Sequence, residues 1–291
     1  MYDIVYMSKV FSNTYSEDIE TPVNTKKVIR GGTGYAIETI NGTEIYHSEL
    51  DQPLYSEIEH IFPDYSLYPQ YTGYGKNIRY QIAYGFLTRG CPRGCNFCHV
   101  APKEGKRSIK VANITEFWNG QGTIKLSDPN ILACPDAFDL LIQLSETNSR
   151  IEFNQGLDAR LLTAEKARLL AGMKLLNPHF AMDNMSDIKE VSNGLNLYRE
   201  SVLSAKGKWD YRHSKVFILT NFNTTHEQDM IRIKAIQECD FWPYVMIYDK
   251  PNAKKITRRL QRWCNNPLIY PKQKDSFEQY CRNTYKKPLK E

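Results

Sequence analysis

The chain has 291 residues, of which 41% are apolar and 24% charged. That balance excludes wholesale disorder and allows either one large α/β unit or two smaller domains. No run reaches the roughly 18 uninterrupted apolar residues of a membrane helix. The first seven residues carry neither a basic region nor an apolar core, so no export signal and a cytoplasmic location are expected. Net charge is +5, yet residues 250–291 alone hold 12 basic and 3 acidic side chains. Such an end suits a polyanion or a solvated helix face.

In chain order, residues 3–7 and 27–29 read as short strands, the second running into Gly31-Gly-Thr-Gly34. A glycine turn without the rest of a nucleotide motif reads more naturally as a tight turn than as a phosphate cradle. An acidic, aromatic stretch follows, with residues 63–69 as a linker. From about residue 80 the pattern changes. Apolar runs at 81–87, 123–127, 151–154, 179–182, 215–220 and 244–248 start 28 to 42 residues apart. That is the length of a βα unit, and six in succession imply a parallel sheet, barrel-like or doubly wound.

The intervals read as helices. Phe138, Leu141, Ile142 and Leu144 form one stripe. Thr163 caps a second helix. Thr224-Thr-His-Glu227 fits a capping box for a third. The last helix, over 253–264, carries Lys254, Lys255, Arg258, Arg259 and Arg262.

Seven cysteines without an export signal point to thiols or metal ligands rather than a disulfide framework. Three are concentrated in Arg89-Gly-Cys91-Pro-Arg-Gly-Cys95-Asn-Phe-Cys98-His, directly after the first run. Glycines at 90 and 94 allow a tight loop around a bulky centre. Thiolates select zinc, copper(I) or iron–sulfur centres. Structural zinc and an ordinary 4Fe–4S cluster each take four protein ligands, and three thiolates leave one position open. Zinc completed by His99 or a distant cysteine is the alternative.

Cys91-x3-Cys95-x2-Cys98, with Phe97 before the last cysteine and six βα units behind it, resembles the radical S-adenosylmethionine (SAM) enzymes over residues 78–265. The resemblance implies a partial (β/α)6 barrel. It implies a 4Fe–4S cluster on Cys91, Cys95 and Cys98, with SAM on the open iron. Reductive cleavage there gives a 5′-deoxyadenosyl radical that abstracts a substrate hydrogen. An electron donor such as flavodoxin or ferredoxin is implied as well. By the same resemblance Asp128 and Asn130 contact the SAM amino group, Gln155 and Asp183 the ribose, Arg160 the carboxylate and Phe97 the adenine. The usual Gly-Gly-Glu after strand two is missing. Residues 1–34 with the 63–69 linker resemble half of a cobalamin-binding Rossmann-like domain. They lack its Asp-x-His-x-x-Gly motif, so no cobalamin is expected.

The remaining cysteines divide by position. Cys134 is a substrate-side thiol or a helix-start residue without a role. Cys239 falls on the opposite face. Cys264 and Cys281 are too few for a second cluster. His60, His179, His213 and His226 show no ligand spacing. The expected division is a Rossmann-like remnant and linker over 1–77, a core barrel over 78–265 and a basic tail over 266–291. The substrate is open among RNA, a peptide and a metabolite, with no membrane involved. A non-catalytic metal-binding or nucleic-acid-binding module is the competing reading.

Overall fold

A computed structural model describes residues 1–9, 19–40, 43–51, 56–274 and 276–285. The N-terminal lead contains two parallel strands, β1 (Tyr2–Ser8) and β2 (Thr25–Gly31). An antiparallel hairpin follows, β3 (Ile37–Ile40) and β4 (Thr43–Tyr46), which residue patterning alone does not indicate. The Gly31–Gly34 turn packs against the end of β1. A Cβ on Gly32, at φ +97°, would lie 2.5 Å from the Lys9 carbonyl oxygen.

The main body is a set of parallel strands. β5 (Ile82–Gly85) is followed by a two-strand antiparallel clasp, β6 (Thr88–Arg89) with β7 (Ile109–Lys110). Then come β8 (Thr123–Leu126), β9 (Arg150–Phe153) and the short β10 (Lys174–Leu175). β11 (His179–Ala181), β12 (Lys215–Thr220) and β13 (Trp242–Ile247) complete the series. One sheet has the order β10-β9-β8-β5 and the other β11-β12-β13, with every neighbour parallel. A parallel bridge from Leu157 to Phe180 links the two. Among the described residues β5 and β13 are not paired, so the strands do not close.

Burial explains the strands. β12 alternates part-buried and buried residues, with Val216 and Ile218 fully enclosed. Ile124 and Leu126 of β8 are enclosed as well. Parallel strands covered by crossover helices bury apolar side chains on both faces. The helix Ala137–Glu146 buries Ala137, Leu140, Leu141 and Leu144, leaving Phe138 of the expected stripe 42% exposed. Thr163 caps Ala164–Gly172 as expected, accepting from the Lys166 N–H at 3.3 Å.

The third helix, His226–Glu238, is capped one residue later than expected, by Thr225 with Gln228. The Thr224 hydroxyl is engaged instead with Asp229 at 2.7 Å. The 19-residue helix Ile188–Lys206 lies against the turn Ala159–Leu161. Gly194 permits that approach, since a Cβ there would sit 1.9 Å from the Ala159 oxygen.

The stretches read as a linker and as a basic tail are packed over their described residues. In 63–69, Tyr65 is buried and its hydroxyl donates to the Phe117 carbonyl at 2.6 Å. In the C-terminal stretch, helices Tyr270–Gln273 and Phe277–Tyr285 bury Tyr270, Phe277, Tyr280 and Cys281, with Tyr270 against Trp242 and Trp263 and Phe277 against Trp263. Residues 286–291 of that stretch lie outside the described residues. Among the described residues no helix is long and apolar enough to cross a membrane.

Candidate metal centre

The three-cysteine loop leaves the C-terminal end of β5, the end at which parallel sheets receive ligands. Its base is fastened by the β6–β7 clasp. Glu104 takes a hydrogen bond from Arg89 Nη1 at 2.9 Å and one from the Gly90 N–H at 3.1 Å. The Cys91 N–H donates to the Gly105 carbonyl at 3.1 Å. Gly90 has φ +83°, and a Cβ there would fall 2.1 Å from the Arg107 oxygen. Glycine is therefore required at the point where the loop turns back on itself. A Cys95-to-Cys98 turn closes the other end, with the Cys98 N–H on the Cys95 carbonyl at 3.0 Å.

The thiols fall into two classes. None of the seven is in a disulfide. Cys134, Cys239, Cys264 and Cys281 are each at most 3% exposed, whereas Cys91, Cys95 and Cys98 are only partly covered. Burial pushes the Cys264 thiol far up, which keeps it neutral and inert. Burial also raises Cys95, and the neighbouring Cys98, Asp183 and Cys91 charges raise it further, with Arg160 opposing. So Cys95 sits among the two other loop thiols, a carboxylate and a guanidinium. Among the described residues no three His, Cys, Asp or Glu groups are arranged to hold a metal ion.

A polar network holds the loop against the neighbouring strand ends. Arg93, inside the cysteine motif, donates to Asp158 Oδ2 at 2.7 Å. Arg160 grips the same carboxylate at 2.7 and 3.1 Å, and its remaining nitrogen pairs with Asp187 at 2.5 Å. Burial pushes Asp158 up, but the two arginines outweigh it and hold its carboxyl below the usual range.

Asn130, 5% exposed, directs Nδ2 to Asp158 Oδ2 at 3.2 Å and to Cys91 Sγ at 3.7 Å. Its Oδ1 is buried with no hydrogen-bond partner. An orphaned buried acceptor costs about 1–3 kcal/mol unless a donor meets it. The site thus has an open acceptor suited to an N–H donor beside a thiol of the kind that soft metals select.

The remaining candidate residues lie around this network. Asp128 is 3% exposed and its carboxylate accepts from the Leu87 N–H, the Thr88 N–H and the Thr88 hydroxyl, at 2.6 to 3.2 Å. Burial pushes its pKa up to about 6 despite those bonds. Asp128 thereby ties the end of β8 to the start of the cysteine loop. Gln155 is exposed in the turn after β9. Asp183 accepts the Leu219 N–H at 2.9 Å, joining the ends of β11 and β12. Phe97 meets Phe222 edge to face at 5.6 Å, and Phe222 meets Tyr248 at 4.8 Å.

Residue patterning missed Arg93, Asp187, Phe222, Tyr248 and the buried pair Arg232–Asp229. Arg232 donates to the carbonyls of Met182, Asp183 and Leu219 at 2.7 to 3.0 Å. It also pairs with Asp229 at 2.5 Å. An acid and a base three apart on a helix are visible in sequence, but their burial is not.

No family model and no curated protein matches this chain. Among solved structures, the crystal structure of Streptococcus suis SuiB bound to precursor peptide SuiA is similar at 13% sequence identity and a TM-score of 0.42. The similarity covers 70% of this chain and 54% of that one, so this chain matches about half the length of SuiB.

Proposed function

We propose that the protein is a radical SAM enzyme whose parallel strands form the partial (β/α)6 barrel of that family. One observation carries the reading. Three partly exposed thiols share one clasped loop at the C-terminal end of β5, while the other four cysteines are sealed in packing. Cys91, Cys95 and Cys98 would hold a 4Fe–4S cluster. When bound with SAM, that cluster supplies one-electron chemistry that yields a 5′-deoxyadenosyl radical able to take hydrogen from a substrate.

The chain's own residues then have definite tasks. Asn130 Oδ1 accepts a hydrogen from the SAM ammonium, because it is the orphaned acceptor at the site. Asp128 is fully engaged with Leu87 and Thr88, so its task is to fix the loop. Arg160 can take the SAM carboxylate by exchanging Asp187 for it, which conserves the number of ion pairs. Asp158 meanwhile keeps Arg93 and the loop in place. Phe97 supplies an apolar wall for the adenine, while Gln155 and Asp183 present polar groups for the ribose. An external flavodoxin- or ferredoxin-like donor supplies the electron. The described part of residues 1–77 supports the core, and residues 266–274 and 276–285 pack on it.

The test is anaerobic reconstitution with iron and sulfide, followed by SAM and a strong reductant. Release of 5′-deoxyadenosine is the expected result. A protein that binds zinc, takes up no iron and leaves SAM intact would overturn the assignment.

A further inference from the structure

We infer that the substrate is a single-stranded nucleic acid, its phosphates held from the loop after β13 along the exposed face of the helix that follows and its target base admitted past Tyr248 and Phe222. The inference rests on the proposed function for the position of the reacting centre. It rests on two separate features for the ligand class.

The first is charge placement. The loop after β13 and the helix Lys255–Asn265 carry Lys250, Lys254, Lys255, Arg258 and Arg262, all exposed. Lys255, Arg258 and Arg262 are spaced i, i+3 and i+7, one face of the helix, while Thr257, Leu260, Trp263 and Cys264 bury the other. Among the described residues none of the five forms an ion pair; Arg258 donates only to the carbonyls of Lys250 and Pro251. Glu227, on the neighbouring helix, lies within the field of Lys254. The helix itself contains no acidic residue. Residues 1–249 carry a net negative charge, so this excess is local rather than a property of the whole surface. An unpaired cationic row of this kind is the electrostatic footprint of a phosphate backbone.

The second is the aromatic path. Tyr248 stands two residues before Lys250 and contacts Phe222 at 4.8 Å, which contacts Phe97 of the cysteine loop at 5.6 Å. All three rings are partly exposed. Asn221, at φ +62°, donates from Nδ2 to the Asp249 carbonyl at 3.1 Å and holds the two loops together. Stacking surfaces beside a cationic track are the means by which proteins hold single strands, because every base has a face to stack. Chemistry on a base also requires that the base leave its duplex partner. An acidic peptide would use the cations and leave the rings without a planar partner.

The test uses the reconstituted 291-residue protein and fluorescently labelled oligo(U) and oligo(dT) of about 20 nucleotides, longer than one single-strand site. Binding should weaken steeply with salt. Lys250→Gln, Lys254→Gln, Lys255→Gln and Arg262→Gln together should flatten the log–log slope by roughly three, at about 0.7 per phosphate on single strands. Tyr248→Leu should weaken binding about tenfold and leave the slope unchanged. Iron content and circular dichroism of each variant verify that it is folded and loaded. Preference for either oligomer supports the inference, and preference for oligo(U) assigns RNA.

Three outcomes overturn it: absence of binding, binding indifferent to the four substitutions, or equal affinity for a poly-glutamate peptide with no effect of Tyr248→Leu. Because binding is read without turnover, its failure leaves SAM cleavage untouched. Failed cleavage with intact binding faults the reaction instead.

Discussion

Replacing Arg232 with methionine should destabilise the protein by about 3–5 kcal/mol, the cost of removing one partner of a buried ion pair. Arg232 is fully enclosed and Asp229 is 3% exposed. Burial already raises the Asp229 carboxyl above its ordinary value, with Thr224 and Arg232 opposing that rise. Without the guanidinium, Asp229 must take a proton or stay charged without its partner. Three carbonyls at the ends of β11 and β12 also lose their donor. The assay is urea unfolding followed by two probes. The double variant Arg232→Met with Asp229→Leu should recover the share of the loss that comes from the unpaired carboxylate, since apolar replacement of a buried pair is often neutral, while the three carbonyls stay without their donor. A single-variant cost below about 1 kcal/mol would refute the reasoning. So would a double variant as unstable as the single one.

Asp128 makes stability pH-dependent in a definite direction. Its folded pKa, about 6, lies above the ordinary 3.8. Its contribution is therefore full below about pH 4 and lost as pH rises through 6. Asp128→Asn should flatten that part of the profile in urea titrations from pH 4 to 7, and an unchanged slope would count against it. Gly90→Ala should open the cysteine loop through the clash with the Arg107 oxygen, lowering bound iron at unchanged overall helicity. Tyr65→Phe should cost about 1–3 kcal/mol by orphaning the buried Phe117 carbonyl; calorimetry reads it, and an unchanged melting temperature would contradict it.

The parallel strands were legible because their residues are apolar on both faces. Val216 and Ile218 alternate with Phe217 and Leu219, a run that suits burial between helices. The longest of the described helices, Ile188–Lys206, was not. Its buried residues Val191, Gly194, Leu195, Tyr198 and Val202 are separated by polar and charged ones, and one is glycine. The clasp of β6 and β7 is two residues per strand, too short for any periodicity. The C-terminal aromatics were hidden by charge. Lysines at 272 and 274 lie between Tyr270 and Phe277, and both aromatics are buried.

The cysteine loop was visible as spacing, and so was its place after the first run. What surrounds it was visible only as candidate polar positions. Asp128, Asn130 and Arg160 all end or follow strands, yet one bonds the backbone, one keeps an acceptor open and one pairs with two carboxylates. Residue type at a strand end does not distinguish those fates, because they depend on partners 27 to 41 residues away.

The central claim is that three cysteines, and only those three, hold one iron–sulfur cluster. The direct measurement is iron, sulfide and zinc in the seven single Cys→Ala variants, purified and reconstituted without oxygen. Loss of Cys91, Cys95 or Cys98 should lower bound iron and sulfide and abolish 5′-deoxyadenosine release. Loss of Cys134, Cys239, Cys264 or Cys281 should leave the iron-to-protein ratio of the folded fraction unchanged. A wild-type protein holding zinc without iron, or a sealed cysteine as necessary for iron as the loop three, would contradict the account.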